Sequence, residues 1–232
     1  MLPCRTVSKV VVIEGLIGVG KTTLCRILQR DWNARLVLEP AEDNPFLARF
    51  YADPAHFAFP AQMFYLASRF AQQRTLRQGD LFSPYVVSDY LFAKDRLFAE
   101  MTLSGAELAL YEKFAGLLDE APVHPDLVVF LDAETDTILR RIRRRSIEAE
   151  QVIPATYLDD LRARYYRLWD RYPHAPVHVV RTDEVDYVDN PEHREHMKAL
   201  IRGWLDGCPL PGAPEPYRGS SGPALFPASV HA

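Results

Sequence analysis

Short apolar runs alternate with longer stretches of helical period along most of this chain. Five of the runs, at 10–13, 36–38, 85–87, 127–131 and 177–180, are bounded by turn formers or charged residues. Runs of that length without polar alternation predict strands buried on both faces. Between them apolar residues recur at three- and four-residue spacing over 21–29, 58–77, 106–118, 135–145, 157–172 and 191–205, which predicts helices. Strands alternating with helices require crossover connections, hence an α/β fold with a five-stranded parallel sheet flanked by helices. From 207 onward the pattern stops, and "GCPLPGAPEPYRGSSGPALFPASVHA" is dense in Pro, Gly, Ser and Ala. Residues 1–206 are therefore expected to form one domain and 207–232 a flexible tail outside it.

The chain has 232 residues, 48% hydrophobic and 25% charged, which suits one domain with a buried core. A net charge of −4 and a pI near 6.0 exclude a general nucleic-acid coat, which requires a basic surface. Basic charge is uneven all the same: Arg140, Arg141, Arg143, Arg144 and Arg145 fall within six positions. Such a run is either a local anion site or a solvated helix face. Cys4, Cys25 and Cys208 have no paired spacing, which predicts free thiols and neither a disulfide frame nor a zinc site. His193 and His196 lie three apart without other ligands nearby and belong to a wet helix surface. The N-terminal "MLPCRTVSKVVVIEG" lacks the apolar run of a signal peptide, and no segment has the length of a membrane span. The expectation is a cytoplasmic protein with no membrane or nucleic-acid partner.

Gly15-x-x-x-x-Gly20-Lys21-Thr22 follows the apolar "VVVIEG" and opens a helix, the setting of a phosphate-binding loop. Glycines let successive N–H groups turn inward around phosphates, and the helix N-terminus adds its positive dipole end. Gly15, Leu16, Ile17, Gly18, Val19, Gly20, Lys21, Thr22 and Thr23 are thus expected to cradle a nucleoside triphosphate. Lys21 can bridge β- and γ-phosphate oxygens, and the Thr22 hydroxyl can ligate Mg²⁺. None of Asn33, Asn44 and Asn190 precedes a lysine, so the Asn-Lys-x-Asp of a guanine switch is missing. A motor requires more chain than remains. A small kinase needs only an acceptor pocket and an arginine lid besides this loop.

Glu39 follows the run "LVL", at the sheet edge where open α/β folds place ligands. A carboxylate there can take the proton of an attacking hydroxyl, or simply cap a loop. Gln62 and Arg69 stand seven apart, two turns along one helical face and about 10 Å apart. Phe59 and Leu66 share that face, where an amide and a guanidinium need partners. The stretch "LEPAEDNPFLARFYADPAHFAFPAQMFYLASRF" (38–70), taken with the phosphate loop, resembles the deoxynucleoside kinase family. "VVSDYLFAKDRLFAE" (86–100) resembles its bacterial deoxyguanosine kinase branch, and the likeness runs from about residue 10 to 205. The resemblance implies ATP as donor, Mg²⁺, a deoxynucleoside acceptor and a homodimer. It implies Glu39 as general base on the 5′-hydroxyl, Gln62 reading the base and Arg69 supporting its far side. Tyr51 and Glu150 would grip the 3′-hydroxyl, and Arg141 and Arg145 would be lid arginines over the phosphoryl group, within a lid at about 141–153. Planar, permanently charged guanidiniums suit that spread charge.

Three positions depart from the family pattern. A third lid arginine falls at Ile147, beside Ser146 at a glycine position, so that Arg143 or Arg144 would substitute. Ser88-Asp89-Tyr90 stands where relatives carry an acidic-Arg-Ser triplet. Aligned on Phe98-Ala99, Asp89 falls on the arginine, and a one-residue shift puts it on the acid; either way it is expected near Mg²⁺ or the 5′-oxygen. Lys94 falls where pyrimidine-tolerant relatives are acidic, and an ammonium has only donors. It would suit the O6 and N7 acceptors of guanine, unless it is a surface salt bridge. The expected activity is phosphorylation of a purine deoxynucleoside, deoxyguanosine foremost. The alternatives are a deoxyadenosine, deoxycytidine or broad-specificity kinase, a nucleoside monophosphate kinase, or an inactive nucleotide-binding regulatory subunit. The stretch 182–192 is expected to form the donor-base loop.

Overall fold

Val11, Val12 and Ile13 are buried on every side at the centre of a parallel sheet. The computed structural model describes residues 8–40, 43–77, 83–118 and 123–219. Its strands are β1 (Lys9–Gly15), β2 (Arg35–Val37), β3 (Tyr85–Ser88), β4 (Leu127–Asp132) and β5 (Val177–Arg181), in the spatial order β2-β3-β1-β4-β5. All pairings are parallel, with Val12 opposite Ser88 on one side and Val128 on the other. The helices are α1 (Lys21–Trp32), α2 (Leu47–Ala52), α3 (Pro54–Arg77), α4 (Lys94–Thr102), α5 (Gly105–Leu117), α6 (Thr135–Arg145), α7 (Ala155–Trp169) and α8 (Pro191–Leu205). One 3₁₀ turn, Glu148–Glu150, follows α6.

Every residue of β4 is buried, which is why it reads as an unbroken apolar run. The five strands and six long helices expected from periodicity are present, with ends shifted by a few residues. α2 and α4 were not anticipated. Six and nine residues long, they are too short to display a helical period.

Residues 207–219 correct the expected tail. Gly207 takes a left-handed φ of 71°, and the N–H groups of Gly207 and Cys208 close back on Trp204 and Gly203 at 3.3 and 2.8 Å. The chain then returns along the sheet. Tyr217 donates its N–H to Val177 O at 2.7 Å and its hydroxyl to Asp170 at 2.9 Å. Pro214 is buried, with its carbonyl 2.9 Å from His178 Nδ1. Composition missed this because the segment has little periodic structure of its own and is ordered by bonds to β5 and α7. Residues 220–232 and Cys4 lie outside the described residues. Cys25 and Cys208 are free thiols. Among the described residues no helix is long and apolar enough to cross a membrane.

Candidate active site

β1 ends at Gly15 and α1 begins at Lys21, so the intervening turn sits at the carboxyl edge of the sheet's central strand. Gly18 and Gly20 have φ of 78° and 112°, a region that side chains disfavour. A Cβ on Gly20 would also run into the Tyr187 hydroxyl, and one on Gly18 into Ile142 of α6. Lys21 donates to the carbonyls of Gly15 and Leu16 at 2.8 and 3.0 Å. Burial, and then the charge of Lys94, lower its pKa.

A cavity of about 810 Å³ opens over this turn, lined by Gly18 through Thr23. Its opposite wall is 183–189, as expected of a donor-base loop, and Arg141, Arg144 and Arg145 close its side. Arg144 thus joins the predicted pair, next to Asp189 at 3.5 Å. Arg141 donates to Val19 O at 3.3 Å and to the Thr182 hydroxyl at 2.9 Å, and also bonds the Thr182 carbonyl. Ser146 ends α6 with a left-handed φ of 57°, a conformation that favours glycine.

A second cavity of about 420 Å³ shares Gly18, Lys21, Thr22, Arg26 and Arg145 with the first. All seven predicted acceptor-side residues line it, together with Ile17, Tyr65, Phe98 and Tyr157. Its volume is in the range of small-molecule sites. Asp89 joins the two cavities: it accepts from the Thr22 hydroxyl at 2.6 Å and from Glu39 N–H at 2.7 Å. Thr22 and Asp89 present only hard oxygens. Among the described residues no group of three or more His, Cys, Asp or Glu could hold a metal by itself. Such a pair fits Mg²⁺, which keeps waters and binds through a few oxygens plus substrate phosphates.

Glu39 lies at the centre. Burial alone would raise its pKa, but Lys94 and Arg69 outweigh it and hold the carboxyl at about 2. Lys94 donates to Oε2 at 3.0 Å, and Arg69 bonds Oε1. Gln62 donates Nε2 to Thr102 Oγ1 at 3.2 Å and leaves Oε1 buried without a protein partner. Glu150 stands 3.5 Å from Arg145, also with one buried oxygen unpartnered. Burial raises its pKa, against Arg145 and Lys21. Burial likewise pushes the Tyr51 phenol up.

Two expectations about direction change. Arg69, expected at the far side of the base, is paired with Glu39 and Asp95 and flanked by the rings of Tyr65 and Tyr90 at 4.9 and 5.4 Å. Lys94, expected at guanine O6 and N7 or on the surface, is buried between Glu39 and Glu14. Burial works against its charge, and the two carboxylates raise its pKa nonetheless. Glu14 and Asp95 went unremarked in the sequence, although a carboxylate inside "VVVIEG" must find partners once buried.

Residues 11–205 match the model of the deoxynucleoside kinase family. The deoxyguanosine kinase of Bacillus subtilis (strain 168) is 32% identical over 201 residues, 83% of this chain and 95% of that protein. The deoxyadenosine/deoxycytidine kinase of the same strain is 26% identical over 197 residues, 82% and 90% of the two chains. A deoxyadenosine kinase structure from M. mycoides, with dCMP and a flexible dCDP as products, shares the fold with a TM-score of 0.69 at 23% identity, over 85% of this chain and 98% of that one. The chain belongs to the deoxynucleoside kinase family. It is a P-loop kinase, a transferase that binds nucleotides and phosphorylates deoxynucleosides.

Proposed function

We propose that the enzyme transfers the γ-phosphoryl group of ATP, with Mg²⁺, to the 5′-hydroxyl of a purine deoxynucleoside, deoxyguanosine foremost. The observation that carries this reading is Glu39, ionised and held by two cations, lining the acceptor cavity one hydrogen bond from the carboxylate that touches Thr22. Lys21, Arg144 and Arg145 face the donor phosphates, and Thr22 with Asp89 would hold Mg²⁺, which neutralises charge on the β- and γ-oxygens when bound. Tyr51 and Glu150 grip the 3′-hydroxyl, so the sugar is held while its 5′-oxygen faces the donor. Catalysis is by positioning, the main resource in phosphoryl transfer.

The preference for guanine is supported by deoxyguanosine kinases among the relatives at 32% identity. The free Gln62 Oε1 can accept from guanine N1–H. It can equally accept from the exocyclic amino group of adenine or cytosine, which favours a deoxyadenosine/deoxycytidine reading. A panel of deoxynucleosides and their monophosphates with ATP separates these. Deoxyguanosine is expected to have the highest kcat/KM. Labelling of monophosphates alone would overturn the nucleoside assignment, and nucleotide binding without turnover would indicate a regulatory subunit.

A homodimer is supported by α5. Leu110, Phe114 and Leu117 are 42%, 41% and 74% exposed at the spacing of one helical face, and only Tyr111 of this helix is buried. Leu110→Glu with Leu117→Glu is expected to convert a dimer to a monomer in sedimentation analysis; an unchanged mass would remove α5 from the interface.

A further inference from the structure

Glu14 is fully buried near the carboxyl end of β1, among apolar residues. A carboxylate there is costly unless donors come to it. Leu91 N–H reaches Oε1 at 2.8 Å, while the Tyr165 hydroxyl and Gly15 N–H reach Oε2 at 2.9 and 3.2 Å. These partners come from the β3–α4 connection, α7 and β1 itself, so Glu14 is a fixed anion. Lys94 Nζ lies 3.4 Å from Glu14 Oε1 and 3.0 Å from Glu39 Oε2, with a side chain only 4% exposed. It therefore bridges a carboxylate that cannot move and one that lines the acceptor cavity. Such burial does not suit a solvated surface salt bridge. Gln62, the amide expected at the base, is engaged with Thr102 instead, and no bond links it to Lys94.

We infer that Lys94 is a positioning residue for phosphoryl transfer: anchored on Glu14, it holds Glu39 toward the acceptor oxygen and takes no part in choosing the base. This rests on Glu39 as the acceptor of the 5′-hydroxyl proton. In that step the proton leaves O5′ for a Glu39 oxygen and a bond forms from O5′ to the γ-phosphorus. The bond from γ-phosphorus to the bridging oxygen breaks, its electron pair leaving with ADP. Each Glu39 oxygen has its own cation, Arg69 on Oε1 and Lys94 on Oε2, so the carboxylate is fixed in rotation as well as in charge. Among the described residues Lys21 from the phosphate loop and the phenols of Tyr51, Tyr65, Tyr90 and Tyr165 also act on Glu39, while Asp89 accepts from its backbone N–H and Glu14 reaches it through Lys94.

The test is the steady-state kinetics of Lys94→Met, Lys94→Gln and Lys94→Arg, with deoxyguanosine and deoxyadenosine as acceptors. Losing one of two clamps is expected to lower kcat about 100-fold in Lys94→Met and Lys94→Gln, with KM for the acceptor little changed. Lys94→Arg keeps the charge and should restore part of kcat. The ratio of kcat/KM for the two purines should stay within about twofold in all three. A tenfold change in that ratio with kcat retained would return Lys94 to the base and overturn the inference. Equal loss of kcat in all three, with no rescue by Lys94→Arg, would also overturn it, as a merely structural role. Unchanged ATP affinity and a single cooperative thermal transition identify variants that fold, and Lys94→Gln and Lys94→Arg carry the test if Lys94→Met does not. A wild-type enzyme silent on every deoxynucleoside would instead refute the proposed reaction, an outcome separate from all of these.

Discussion

Glu39→Gln is expected to lower kcat by about 10²–10⁴-fold while leaving ATP affinity within a few-fold. The amide keeps the shape and can still bond a cation's neighbourhood through its carbonyl, but it cannot accept a proton from the 5′-hydroxyl. The donor cavity does not include Glu39, so binding there should survive. Equal losses in kcat and in ATP affinity, measured by single-turnover kinetics and titration calorimetry, would show that Glu39 holds the fold and not the reaction. The pH dependence has a definite sign. Lys94 and Arg69 depress the folded pKa of Glu39 from 4.5 to about 2, so its charge is present throughout the neutral range. Its contribution to stability is complete above the unfolded value of 4.5 and is lost as pH falls through about 2. The wild-type kcat should therefore show no acid limb from Glu39 between those values.

Arg69→Met should cause the largest loss of stability, about 3–5 kcal/mol. Arg69 is 2% exposed and lies between Glu39 and Asp95, which is itself 3% exposed. Removing the guanidinium leaves the buried Asp95 carboxylate with the Tyr111 hydroxyl at 2.6 Å as its side-chain donor among the described residues, while Glu39 keeps Lys94. At about 2–4 °C per kcal/mol for a chain of this size, the melting temperature should fall by about 6–20 °C. Adding Asp95→Leu should recover part of the loss, because an apolar replacement removes the unpaired charge. A melting temperature within about 2 °C of wild type would mean that water or a counter-ion reaches the pair, and that its burial carries little energy.

The strands and the phosphate loop were legible because their signals are local: an unbroken apolar run marks a strand covered on both faces, and glycine spacing marks a turn with inward N–H groups. The residues assigned to the acceptor side also come together. Glu39, Tyr51, Gln62, Arg69, Asp89, Lys94 and Glu150 all line one cavity. What the sequence could not convey is direction. Lys94 and Asp95 are neighbours on a helix, about 100° apart around its axis, and α4 packs between α3 and α7. That packing turns Lys94 toward Glu39 and Asp95 toward Arg69, so both cations meet carboxylates at the sheet edge and neither is left for the base. An alignment orders such residues without orienting them. Residues 207–219 were misjudged for a related reason: their order comes from Val177, Asp170 and His178, far away in the chain.

Arg141 has a mechanical meaning beyond charge. Its bonds to Val19 and Thr182 rivet α6 to the phosphate loop and to the stretch after β5. An arm riveted near its root has a short lever. Beyond that rivet the chain turns at the left-handed residue Ser146 and is tied back to α6 by Gln151, whose Nε2 donates to Ile142 O at 3.0 Å, with Glu150 3.5 Å from Arg145. Arg145, at the end of that arm, lines both cavities and Glu150 lines the second, so any displacement of α6 reaches both at once.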